Sequence, residues 1–306
     1  MTLSVITDRG DEPSRVALHA RNVKFDWTGL PFEWIPGQHF ASHYINVLHL
    51  LLPEGERWFV KVFSDMLPMI HDERLREDVV GFIGQEGIHA ASHQGVQDYF
   101  RENGLDVRPF VAELETMFRK ILGDRDLRGR AKQEWLIERA AVIAGIEHLT
   151  AVLGNWSLNS PKLDELQANS TMLDLIRWHG AEEIEHRAVA YDVFNHVDGR
   201  YLRRIRAYGV GGLLLFSLWW RGVRYMMAND PTIPDTVNRP RATIRKLVYA
   251  ESRRIVPGLR TFAWASWRYF LPGYHPSEEG STSQAVTYLA KSPAAMRADA
   301  LAEAVS

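Results

Sequence analysis

Two copies of Glu-x-x-His, Glu86–His89 in GFIGQEGIHAASH and Glu183–His186 in WHGAEEIEHRAVA, lie about a hundred residues apart in stretches that otherwise read as buried helix. At i and i+3 a carboxylate and an imidazole leave one helical face together, a spacing suited to sharing a metal ion. Burying either group without a partner is costly, so a chain carrying both pairs has few folds open to it. The arrangement that uses both is a helical bundle. Two helices supply Glu-x-x-His, two others supply one glutamate each, and all point inward around two metal ions. One such pair alone is more often a surface ion pair; four carboxylates on core faces, in the right order, carry the reading.

The pattern along the chain supplies the helices. Residues 1–37 read as an extended segment, with Trp27, Pro31, Trp34 and Pro36 breaking any helical period. A first helix begins near Phe40, with Ile45, Leu48, Leu52, Phe59 and Phe63 on one face, and Pro53 with Gly55 should kink or split it. A second runs from about Asp72 to Asn103, a third from Arg128 to Leu158 and a fourth from Thr171 to His196. A shorter amphipathic helix (Val111 to Leu122) lies between the second and third, and Ser160-Pro161 reads as an N-cap with proline at the first helical position. In the third helix Ala140, Ala141, Ala144 and Gly145 permit close packing. The expected architecture is all-α: a bundle over residues 38–198, followed by C-terminal helices and a tail over 199–306.

Helix faces select the remaining carboxylates. Glu56 shares its face with Leu52, Phe59, Val60 and Phe63, whereas Glu54 sits beside Arg57 and Lys61 and is expected in solvent. Glu147 lies in the apolar run AAVIAGIEHLTAVLG, while Glu134 and Glu138 fall near the charged start of that helix and read as surface residues. Four carboxylates also balance two divalent cations. His179 extends the second motif to His179-x-x-x-Glu183-x-x-His186, three potential ligands on one face, so one metal would be richer in nitrogen than the other. His93, one turn beyond His89, reads either as a ligand or as a hydrogen-bond partner of one. His148 points about 100° away from Glu147 and is left out.

Composition narrows the chemistry. The chain has no cysteine, so disulfides, iron–sulfur clusters and thiolate chemistry are excluded and any metal must take nitrogen and oxygen donors. The N-terminus shows no basic stretch followed by an apolar run, which makes a cytoplasmic location the expectation. The formal charge of −2 implies no partner by itself, and no nucleic-acid partner is expected. Residues 200–270, however, hold fourteen Lys or Arg against Asp230, Asp235 and Glu251, with Trp219, Trp220, Trp264 and Trp267 among them. Such a segment can lie on the anionic inner face of a membrane, or dock on the acidic remainder of the chain, the reading preferred here. Its helix, from about Arg200 to Ala228, contains VGGLLLFSLWW, but the apolar run is shorter than the roughly 20 residues of a membrane span. Residues 229–243 read as a loop. Ile244 to Phe270 reads as a helix broken at Pro257-Gly258, and the tail from LPGYHPSEEGS as mostly irregular.

The stretches PFEWIPG, FASHYINVLHLLLPEGERWF, GFIGQEGIHAASH, WHGAEEIEHRAVAYDVF and YFLPGYHP resemble the bacterial proteins named predicted metal-dependent hydrolases, over most of residues 22–280. The helix pattern resembles the ferritin-like di-iron superfamily. Within it, His179-x-x-x-Glu183-x-x-His186 is similar to the last metal-binding helix of the p-aminobenzoate N-oxygenases, whose site has a third histidine. That similarity implies Glu56, Glu86, His89, Glu147, His179, Glu183 and His186 as ligands; little outside them matches, so no arylamine substrate is implied. The expected function is a di-iron oxidoreductase or oxygenase that uses O2 on a hydrophobic or amine-bearing small molecule. The alternative is a metal-dependent hydrolase using a metal-bridged hydroxide. Iron is the expected metal, with manganese or zinc able to share the donors. An electron donor and a second copy of the chain complete the expected partners.

Overall fold

The computed structural model describes residues 16–234 and 241–304. Residues 1–15 of the expected extended segment and 235–240 of the expected loop lie outside the described residues. Among the described residues there is no β-strand, and the all-α expectation holds. The helices are α1 (His39–Asn46), α2 (Leu48–Met66), α3 (Glu73–Glu102), α4 (Arg108–Thr116), α5 (Gly129–Leu158), α6 (Pro161–Glu165), α7 (Ser170–His186), α8 (Val189–Val197), α9 (Tyr201–Asn229), α10 (Ile244–Ser252), α11 (Leu259–Tyr269), α12 (Thr282–Leu289) and α13 (Pro293–Glu303).

Two hairpins make the bundle: α2 packs along α3, and α5 along α7. The connection that carries α4 joins them. The starts of α3 and α7 are capped by side chains. Asp72 takes the Leu75 N–H at 2.8 Å, and Asn169 takes those of Thr171 and Met172; each cap is worth about 1 kcal/mol. Ser160, expected to cap α6, makes no such bond, although Pro161 does stand at the first position.

The first helix breaks at Val47 and not at Pro53, which lies inside α2. Proline removes the N–H that would bond the His49 carbonyl four residues back. Gln97 of α3 supplies the missing donor, its Nε2 standing 2.8 Å from that oxygen, so the helix continues. The fourth long helix is interrupted directly after His186. There the Arg187 guanidinium bonds the Ile184 carbonyl, which an unbroken helix would offer to the Ala188 N–H, and the chain resumes as α8. The tail also departs from expectation. Ser281 and Ser292 cap α12 and α13 through the N–H groups of Gln284 and Ala295, and both helices pack on α7.

Close crossings come from glycine. A Cβ on Gly154 would stand 2.5 Å from the Gly180 carbonyl, so α5 and α7 touch backbone to backbone one residue from His179. Gly145 instead meets Tyr208 of α9. The basic segment is partly engaged within the chain: Arg200 and Arg203 pair with Glu134, Arg206 with Glu138, and Arg221 with Glu113. No helix of the described residues is long and apolar enough to cross a membrane.

Apolar side chains form two clusters. One joins Trp34, Ile35, α1 and the outer turns of α7 to the C-terminal helices; the other joins Phe59, Phe63, Phe82 and Ile143 to α8. Between them runs a polar layer at the level of Glu56, Glu86, Glu147 and Glu183.

Candidate metal centre

The four long helices bring seven buried side chains together in that layer, none more than 7% exposed. They fall into two groups whose donor atoms lie within 4.8 Å of one another: Glu56, His89 and His179, and Glu86, Glu147, Glu183 and His186. His186 Nε2 stands 3.2 Å from Glu86, 3.4 Å from Glu147 and 3.4 Å from Glu183. The other Glu183 oxygen is 2.7 Å from His179 Nε2, which lies 3.7 Å from Glu56. Glu86 reaches both ways as well, 3.5 Å from His89 Nδ1. Glu86 and Glu183 therefore span the two groups.

Apart from His179 Nε2 and the Glu183 oxygen beside it, the inward atoms are left without hydrogen bonds. Both oxygens of Glu56, Glu86 and Glu147, one of Glu183, His89 Nδ1 and His186 Nε2 are buried with no hydrogen-bond partner among the described residues. Burial and the neighbouring carboxylates push Glu86 and Glu147 up to about 8, and Glu56 well above the carboxylate range. Burial acts the same way on Glu183, but the flanking His186 and His179 hold it well below the usual value. Orphaned anionic donors converging in a dry layer are costly unless a cation neutralises them, and the donor set fits hard to borderline divalent metals.

The outward atoms, by contrast, are all held. His89 Nε2 meets Glu182 at 2.9 Å, His186 Nδ1 meets Gln85 at 3.1 Å, and His179 Nδ1 meets His93 Nε2 at 2.6 Å. A metal-binding imidazole is oriented by a bond on its far nitrogen, which is the pattern here. His93 has its other nitrogen 2.7 Å from His49 Nδ1, so it stands behind His179 and belongs to neither group.

Several supporting residues were not visible in the sequence. Arg21, from the segment before α1, bonds Glu182 at 2.7 Å and Glu185 at 2.9 Å, and Glu185 accepts from Gln85 at 2.9 Å. This places one guanidinium behind both His89 and His186. It reaches them because α3 carries glycine where the segment crosses: a Cβ on Gly81 would stand 2.5 Å from that of Leu18. His49, missed as well, sits on α2 one turn before Pro53. Sequence spacing could have flagged Glu182 and Glu185 as an i, i+3 pair, but nothing local links Arg21 to them.

One further sequence expectation is corrected. Glu54 is not solvated: it is 4% exposed and is held by Arg57 and Arg119. The small residues of α5 do permit close packing, Gly145 against Tyr208 of α9, and a second close crossing, α5 on α7, falls at Gly154 and Gly180. Glu134 and Glu138 do lie outward, and His148 is engaged elsewhere, its nitrogens meeting the Ala265 carbonyl at 3.0 Å and the Tyr274 hydroxyl at 2.7 Å.

An all-helical bundle with buried carboxylates and imidazoles converging in this way defines a metal-binding helical protein. The model of the family described as "Predicted metal-dependent hydrolase" matches residues 19–280, and the chain belongs to that family. No curated protein and no solved structure matches it.

Proposed function

We propose that the chain is a dinuclear metal enzyme, with iron at the centre, that uses O2 to oxidise a small molecule. The observation that carries the reading is the seven buried, inward-facing donors in two groups joined by Glu86 and Glu183. Glu56, His89 and His179 would hold the nitrogen-richer ion, Glu147 and His186 the other, with Glu86 and Glu183 shared. Such ions, when bound, supply electron transfer to O2 or, in a hydrolase, an activated water. The protein's own part is to fix the imidazoles from behind and to keep the layer dry between two apolar clusters. Redox work with O2 would also require an external electron donor.

The family description favours a second reading, hydrolysis. The carboxylate-rich, helical, buried site supports oxygen chemistry instead. Metal analysis of protein purified without added metal tests both. About two iron or manganese ions per chain are expected, by analogy with carboxylate bundles. Adding oxygen to the anaerobic ferrous protein should then give a transient visible absorption band. Stoichiometric zinc with esterase or amidase turnover, and no such band, would sink the oxidative reading and leave the hydrolytic one.

A further inference from the structure

We infer that the protein binds a long hydrocarbon chain in the cavity between α2, α5, α9 and α11, with the chain's reactive end directed at His179 and Glu183. The cavity measures about 360 Å³ and is walled by apolar side chains of all four helices. This is within the usual range for a ligand pocket. A second, narrower cavity lined by His93, His179, Glu183, Gly154 and Gly180 abuts it. Tyr44, Leu48, Leu52, Thr150, Leu153 and Trp219 belong to both walls, so the two cavities adjoin across these six side chains and the narrower one reaches the metal centre.

The wall offers little to a polar ligand. Thr150 Oγ1 donates to the Glu147 carbonyl at 3.0 Å, and Trp219 Nε1 to the Tyr44 carbonyl at 2.8 Å. The hydroxyls of Tyr208 and Ser266 bond each other at 2.7 Å. With these groups engaged, an occupant gains chiefly from hydrophobic burial. A sugar, nucleotide or free amino acid would lose its hydration there without replacement.

The opening lies on the α9 side. Leu213 and Phe216, 69% and 42% exposed, line the cavity and also face solvent. Gly209 and Gly212 of the same helix line it too, with nothing within 4 Å of where a Cβ would stand. These glycines leave room that any larger residue would fill.

The inference adds the substrate class to the enzymatic reading of the metal centre and rests on that reading for the direction of the reactive end. Its test does not need activity. cis-Parinaric acid, a fluorescent chain, is titrated into the full-length protein, with energy transfer from the protein's ten tryptophans, Trp219 and Trp220 lining the cavity, as the signal. Saturable binding of one probe per chain is expected, with or without metal. Gly212→Phe should weaken it about tenfold or more, because a ring filling the cavity removes the burial that drives binding. Replacing a helical glycine also raises helix propensity, so the fold should hold, as thermal unfolding by circular dichroism would show. Gly209→Phe serves if that variant fails to fold. No saturable binding, or equal binding in the plugged variants, overturns the inference. Binding with no turnover under any condition would instead fail the enzymatic reading alone. With vesicle-borne probe, a transfer rate that rises with vesicle concentration places the source in the bilayer, and a constant rate places it in solution; either upholds the cavity.

Discussion

The two halves of the centre are built from similar donors but backed differently. On the nitrogen-rich side His179 leans on His93 and His49, which burial and the neighbouring imidazoles hold well below the usual histidine range, His49 at about 3. Its backing is neutral. His89, on the same side, leans on Glu182, an anion fixed by Arg21. On the other side His186 leans on Gln85, which reaches the same arginine through Glu185. His179 and the shared Glu183 line the narrow cavity, whereas Glu147 and His186 do not. The half facing the cavity thus has a neutral backing behind His179 and a charged one behind His89, and the sealed half reaches the same charged network only through Gln85. A site that must exchange reactants can be stiff at one imidazole and adjustable at another.

Removing a shared carboxylate should erase the distinction. Glu183→Ala is expected to drop bound metal from about two ions per chain to less than one by elemental analysis, since both groups lose a donor. Retention of both ions would mean that Glu183 does not bridge. Next in size is Arg21→Ala, which leaves Glu182 and Glu185 buried without their cation and should cost about 3–5 kcal/mol in urea unfolding. A cost below about 1 kcal/mol would place the network's strength elsewhere.

The comparison sharpens with the partners behind the histidines. Glu182→Gln and His93→Phe should each weaken metal affinity about 10- to 100-fold in chelator competition, with Glu182→Gln at the upper end because an anion raises imidazole basicity more than a neutral ring does. The reverse order would mean that the charged backing of His89 holds its imidazole no more firmly than the neutral backing of His179 does. Glu138→Ala is the smallest change. It breaks only the pairs with Arg206 and Arg203 at the surface, so metal content should be unaltered and stability should move by about 1 kcal/mol or less.

How much of this was legible varies with the range of the interaction. The helix ends at Asp72, Asn103 and Leu158 were readable because caps and periodicity are local. The convergence of Glu56, Glu86, Glu147 and Glu183 followed from faces, since a carboxylate on an apolar stripe must be buried somewhere. Long-range compensation was not readable. Pro53 reads as a break until Gln97, 44 residues on, donates to the freed carbonyl. Glu54 reads as solvated until Arg119 arrives from the turn after α4. Arg21 carries no sequence sign of its role, for its partners lie more than 160 positions away. The tail helices were a different omission, because the Ser281 and Ser292 caps were present as local signals.

The proline inside α2 has a consequence for alignment. His49 is tied to α3 twice, by its ring to His93 and by its carbonyl to Gln97. Both ties exist at one longitudinal setting of the two helices. Sliding α2 by a single turn would present a carbonyl already claimed by its own helix to Gln97, and would strand the freed one in the core. A residue that ordinarily weakens a helix here works as an index mark, fixing how far along α3 Glu56 comes to rest.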